Sequence, residues 1–139
     1  MANPLDPIAQ ALLAKALALP GVEDGRTGEG GPIPKTPYVE VGDGRSELVP
    51  ASAGAGQIYH ANAGFYVIFY VPYTGADPEV EKATLRELVW GYHEAMKADY
   101  TLGGLVDYAR VRGWDIDLTT REKRRLWYAA LEVEVLFEG

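Results

Sequence analysis

Two stretches of the chain place apolar residues at helical spacing. Each begins with an aspartate followed by a proline, Asp6-Pro7 and Asp77-Pro78, a pair that caps a helix and starts its first turn. The apolar positions then recur every three or four residues: Ile8, Leu12 and Leu13 in the first stretch, and Leu85, Leu88, Tyr92 and Met96 in the second. The pattern predicts helices over about 6–19 and about 78–98.

Four other stretches alternate with the period of two that is typical of strands. A short strand is expected at 38–41, and the strongest signal lies at 58–73, where both faces are apolar. The stretch at 106–118 has one polar face and a bulge expected near Gly113, and the stretch at 126–137 is amphipathic. Because both faces of 58–73 need cover, we expect the first helix or a neighbouring subunit to pack on the second one.

Glycine and proline mark two long connections between these elements. Residues 21–37 are predicted to be a flexible connector without a fold of its own, and residues 43–57 a long loop or arm. Both are expected to be mobile until partners order them. The whole chain, 1–139, is predicted to be a single α+β domain in the order α-β-β-α-β-β, with a mostly antiparallel sheet and the helices packed on one face.

Composition agrees with one folded domain and removes several classes of chemistry. The chain has 139 residues, 47% of them hydrophobic and 24% charged, and no cysteine, which excludes disulfides and thiolate metal sites. No apolar window is long enough to cross a bilayer and no basic segment resembles a signal peptide, so neither export nor a membrane is expected. Few amide side chains and frequent loop prolines are a bias associated with thermophiles.

Charge is distributed unevenly along the chain. The net charge of −7 disfavours general nucleic-acid binding, yet the five residues from Arg121 to Arg125 carry +3, which leaves −10 for the remainder. This cluster is either a solvated turn between two strands or a patch that docks an acidic neighbour. We expect partners to be bound by residues of this cluster and of the arm: Arg121, Lys123, Arg124, Arg125, Arg45, Glu47 and Leu48.

No set of residues forms a recognisable active site. His93-Glu94 lies in the second helix, but the position four residues after the histidine is Lys97, so the zinc pattern of one helical face is incomplete. The serines lack the context of a strained nucleophile turn, and the glycine clusters do not lead from a strand into a helix with Gly-Lys-Ser/Thr. Asp115 and Asp117 have the spacing of a solvated strand face, and His60 is a lone histidine at a strand start. We expect no catalytic, cofactor or metal site.

The order of elements resembles a known family. The chain resembles the tail terminator (tail completion) proteins of long-tailed bacteriophages. The elements that carry this resemblance are, in order, an N-terminal helix, a strand at 37–41, a long arm, an apolar strand at 64–72, a helix of about twenty residues followed by a break at Leu102-Gly103-Gly104, and two closing strands. The arm at 43–57 is longer and richer in glycine than this family leads us to expect. The family has no catalytic residues to carry over.

The resemblance implies a structural role in the virion, at the junction of head and tail, with assembly in the host cytoplasm. It implies a homo-oligomeric ring, a hexamer, that caps the tail tube, stops its polymerisation and meets the head-side connector protein. Six copies at −7 each carry −42, so DNA is expected to pass through the ring without specific binding. The alternatives are a head–tail adaptor or, from another class, a small-ligand-binding α+β module or an enzyme with dispersed site residues.

Overall fold

The computed structural model describes residues 3–50 and 59–138. Within these ranges the chain forms two helices and six strands, which confirms the predicted α+β fold. In chain order they are α1 (Leu5–Leu17), β1 (Asp24–Thr27), β2 (Tyr38–Asp43), β3 (Glu47–Pro50), β4 (Tyr59–Pro72), α2 (Pro78–Ala98), β5 (Tyr108–Arg121) and β6 (Arg124–Glu138).

The strands form one mostly antiparallel sheet in the order β1-β2-β4-β6-β5, with β3 paired to β4 beyond the end of β2. The pair β1–β2 is parallel, and every other pair is antiparallel. The long strands β5 and β6 form a hairpin whose turn residues, Glu122 and Lys123, have φ of 52° and 65°. Such a left-handed pair matches the twist of two-residue hairpins. The ladder shifts register between Val111 and Gly113, which confirms the predicted bulge.

Two short strands were not predicted from the sequence. β1 lies inside the predicted connector and pairs with β2. Gly25 of β1 lies so close to β2 that a Cβ added there would be 2.6 Å from the carbonyl oxygen of Val39. A glycine is therefore required where this edge approaches its neighbour closely. β3 lies inside the predicted arm, whose residues 51–57 are outside the described residues. The mobility expected for both segments stays a prediction.

Both helices pack on one face of the sheet, as predicted, and we call this the helix face. The predicted stripe of α2 is buried, and Tyr92 donates a hydrogen bond from its hydroxyl to the carbonyl oxygen of Leu12, 3.0 Å away in α1. Asp77 caps α2 as predicted, because its side chain accepts from the backbone N–H of Glu79. The predicted cap of α1 was wrong: the Asn3 side chain accepts from the backbone N–H of Asp6.

The opposite face of the sheet, here the open face, is covered at one end only. Ile33 packs there against Tyr38, Tyr70 and Leu126 in a small second core. We call residues 28–36, which carry Ile33 across the sheet, the strap. We expected helix one or a neighbouring subunit to cover the second face of β4. The strap, which belongs to the segment predicted to have no fold of its own, covers part of that face instead. Tyr66, further along β4, is exposed.

No helix among the described residues is long and apolar enough to span a membrane.

Candidate interaction surfaces

The basic cluster at the β5–β6 turn begins with a residue that is engaged inside the protein. Glu40 on β2 is fully buried on the open face, and its carboxylate accepts from the Tyr70 hydroxyl at 2.9 Å. The Arg121 guanidinium donates to both carboxylate oxygens, at 3.1 and 3.2 Å, and Arg26 donates from a third direction at 3.2 Å. The bond to Glu40 raises the pKa of Arg121 above its ordinary value. Burial first, and then the bond to Glu40, raise the pKa of Tyr70.

The same arginines hold the strap on the sheet. Arg121 also donates to the carbonyl oxygen of Gly31 at 2.7 Å, and Arg124 donates to that of Ile33 at 3.0 Å. These bonds satisfy carbonyls of a segment with little regular structure, which would otherwise remain unpaired over the sheet. Arg121 therefore neutralises a buried carboxylate and fixes the strap.

The remaining residues of the cluster point outward. The Arg125 guanidinium lies 4.3 Å from the ring centroid of Tyr73, and Lys123 occupies the exposed apex of the turn. The structure thus divides the predicted patch, because Arg121 and Arg124 have partners within the chain while Lys123 presents its charge to solvent. A docking role for the cluster stays a prediction.

The three predicted residues of the arm lie at the β2–β3 connection and on β3. Here the chain crosses β4 closely: the Gly44 N–H donates to the Gly64 carbonyl oxygen at 2.8 Å, and the Gly64 N–H donates to the Ser46 hydroxyl at 3.2 Å. Arg45 and Glu47 line a polar depression of about 310 Å³ on the open face. Leu48 borders an apolar depression of about 370 Å³ on the helix face, between β3 and the start of α1.

The polar depression also contains Glu134, which is buried on β6. Burial alone would raise the pKa of its carboxyl, but the hydrogen bond from Tyr108 and the charges of Arg110 and Arg112 outweigh this effect, so the pKa is lowered. The nearest donors are the Tyr108 hydroxyl at 3.0 Å and Arg110 Nε at 3.2 Å. These partners come from the chain itself, and the carboxylate is therefore already neutralised without a ligand.

A third surface was not predicted from the sequence. β5 forms one edge of the sheet over fourteen residues, and along the described chain its outer side has no strand partner. Beside it, a groove of about 310 Å³ separates α2 from β5 and is lined in part by Met96, Tyr100 and Val111. Trp90 is half-exposed on α2 beside His93, which also lines the groove, and Trp114 is half-exposed on β5. We call the outer side of β5 with this groove the β5 edge.

The sequence contained a partial signal for the β5 edge. Trp90 lies off the buried stripe of α2, where a large apolar residue is unusual in a helix with only one packed face. Trp114 alternates with Asp115 in β5 and so lies on the apolar face of that strand, yet it is 49% exposed. Which strand forms the edge depends on pairing over long distances and could not be read locally.

Along the described ranges, no group of three or more His, Cys, Asp or Glu side chains is arranged to hold a metal ion. His93 stacks beside Trp90 with ring centroids 5.0 Å apart. Asp117 accepts from the backbone N–H of Leu118, and Ser46 bonds to Gly64, so both have structural contacts. The features that these surfaces present are an unpaired strand, apolar side chains and separated charges, and such features suit recognition of another protein surface.

Comparison with known proteins gives likenesses of fold and no match of sequence. No protein-family model matches the chain, and no curated protein sequence matches it. Among solved structures, the chain is similar to a chain of a structure described as the virion of a native gene transfer agent particle. The two share 18% identity with a TM-score of 0.49, over 95% of each chain. At that identity and TM-score, the likeness carries no argument about function.

Proposed function

We propose that this protein is a non-catalytic virion component that assembles into a ring and acts as a tail terminator. In this role it caps the tail tube, stops its polymerisation and joins it to the head-side connector protein. The order of elements supports the family, and one structural observation supports self-association. That observation is the β5 edge, a long unpaired strand flanked by exposed aromatic side chains.

An exposed strand of this length favours aggregation in a monomeric protein. Its free N–H and C=O groups are a template for pairing with another chain, and monomeric proteins usually shield such edges with charge, proline or a short strand. β5 carries charged residues on its open face and a bulge between Val111 and Gly113, but it has fourteen residues, no proline and an exposed Trp114 on its helix face. An edge that pairs with a different surface of the next copy forms a heterologous contact, and such contacts close into a ring when the rotation between successive copies closes.

The charge of the chain suits passage of DNA through such a ring. At −7 per copy, a hexamer carries −42 and repels the phosphate backbone over most of its surface. Asp115, Asp117 and Glu132 lie exposed on or beside the open face, where no helix covers them. We expect DNA to pass without specific binding.

Tube assembly in vitro tests the proposal. Tail-tube subunits are polymerised with and without this protein, tube lengths are measured by electron microscopy, and the mass of the protein alone is measured by analytical ultracentrifugation. We expect rings at tube ends and shorter tubes. Tubes that grow unchecked, with no rings and no bound ends, contradict a terminator. Binding to the head-side connector without binding to tubes indicates the head–tail adaptor instead.

A further inference from the structure

We infer that the β5 edge of one copy binds β3 of a second copy, so that the sheet continues from subunit to subunit. This inference rests on the proposed self-association and names the surfaces that carry it. β3 is the natural counterpart because all four of its residues are exposed and its outer side has no strand partner among the described residues. Main-chain pairing of this kind supplies affinity, while side chains on the two faces supply specificity.

The most exposed apolar residue of each edge, Leu48 in β3 and Trp114 in β5, lies on the helix face. Leu48 of β3 stands opposite Ala61 of β4, and Trp114 of β5 stands opposite Leu131 of β6. Leu131 in turn stands opposite Val67, which shares the odd-numbered face of β4 with Ala61. When β3 pairs antiparallel to β5, the helix faces of the two copies lie on the same side of the continuous sheet, and Leu48 points to the side of the groove between α2 and β5.

The size of the exposed apolar surface favours this contact. Leu48 is 65% exposed, more than any other large apolar residue described, and Trp114 is 49% exposed. Aromatic side chains at the centre of an interface are where binding energy concentrates. Leu48 beside Trp114 and the groove would remove both from water in one contact.

With Leu48 opposite Trp114 in antiparallel pairing, Asp115 lies opposite Glu47 on the open face, and Arg45 lies diagonal to Asp115 and can offset this repulsion. Arg45, two residues before β3, borders the polar depression there, and Asp115 stands opposite Ala130, whose partner on β4 is Ile68. Along the described ranges, neither Arg45 nor Asp115 has a salt-bridge partner within 4.0 Å. A pair between them adds little affinity because it is exposed, but it favours one register over others.

Single cysteines test the contact directly, because the natural chain has none. Leu48→Cys and Trp114→Cys chains are mixed, oxidised and analysed by mass spectrometry. We expect a mixed disulfide between position 48 of one chain and position 114 of another. The matched control is Leu48→Cys mixed with Val80→Cys, since Val80 is 64% exposed on α2 and lies off both edges. Cross-linking no greater than in this control, in a protein that still forms rings, overturns the inference and leaves the proposed function standing.

Affinity gives the second readout. We expect Leu48→Asp and Trp114→Asp each to raise the dissociation constant of self-association at least tenfold, and Val80→Asp to leave it unchanged. Reversal of one charge, in Arg45→Asp or in Asp115→Arg, should weaken association about two- to fivefold, as expected for an exposed pair, and the double variant should restore it. A double variant no tighter than the singles excludes the Arg45–Asp115 pair. Absence of oligomers in the natural protein contradicts the proposed function itself.

Discussion

At the residue scale, Arg121 is the side chain on which a buried charge depends. Replacement by alanine leaves Glu40 with Arg26 and Tyr70 but removes the one partner among the described residues that contacts both carboxylate oxygens. Removing one partner of a buried ion pair is strongly destabilising because it leaves the other charge buried without compensation. We therefore expect Arg121→Ala to lower the free energy of unfolding by about 3 kcal/mol in urea titrations. Arg121→Lys should recover part of this, because it keeps the charge without the planar fork.

The control for Arg121 lies in the same turn. Lys123→Ala removes an exposed positive charge that has no salt-bridge partner among the described residues, and it should change stability by less than about 0.5 kcal/mol. Equal effects of the two substitutions would contradict a structural role for Arg121.

Glu134 gives a pH dependence whose sign is fixed by its surroundings. Its pKa is lower in the folded protein than the ordinary value of 4.5. The ionised Glu134 carboxylate therefore stabilises the folded protein fully at pH values above 4.5, and this contribution is lost as the pH falls through the pKa of Glu134 in the folded protein. We expect the stability advantage of the natural protein over Glu134→Gln to shrink between about pH 6 and pH 3. If the stabilities of Glu134→Gln and of the natural protein run parallel over this range, the lowered pKa of Glu134 is contradicted.

At the element scale, α2 is stabilised by its buried stripe. Leu88 is 6% exposed within the main core, and its replacement by alanine should cost about 2 to 5 kcal/mol through lost burial and the cavity left behind. Chemical denaturation measures the change. Glu87→Ala, one residue earlier on the exposed side of the helix, serves as control and should be close to neutral. A near-neutral Leu88→Ala would mean that the helix is held by something other than this stripe.

The elements that the sequence predicted are those with sustained periodicity. α2, β4 and β6 are long and regular enough for their apolar positions to define the type of element, and in α2 and β6 these positions also define the buried face. β1 and β3 have four residues each and owe their strand conformation to pairing with β2 and β4, which local composition does not record.

The candidate surfaces depend still more on distant contacts. The sequence shows the cluster of positive charge at the β5–β6 turn. It does not show which of these residues are bound within the chain, because the partner of Arg121 is Glu40, eighty-one positions away. Likewise, Ile33 is a single apolar residue among glycines and prolines, too weak a signal to predict that the strap covers Tyr70. The β5 edge follows from sheet order alone. In physical terms, periodicity shows which face is buried but not which copy or segment buries it.

At the scale of the whole molecule, net charge opposes the association that we propose. Copies at −7 repel one another, and the repulsion reaches about 30 Å at 0.01 M salt but only about 3 Å at 1 M. We therefore expect ring formation to become faster as salt is added. We expect the basic turn to act against this repulsion, since Lys123 presents a local positive charge that can orient an approaching acidic surface.

Charge reversal at two exposed positions separates the effect of the basic turn on the rate of assembly from the effect of net charge. Lys123→Glu is the cleaner probe than a change at Arg124, which also holds the strap through Ile33. Arg86→Glu on α2 changes the net charge by the same amount at an exposed site away from the turn. We expect stopped-flow light scattering at low salt to show slower assembly for Lys123→Glu than for Arg86→Glu, with the two rates converging at 1 M salt, where screening removes orientation. Equal rates at low salt would mean that only net charge matters and that the turn docks nothing.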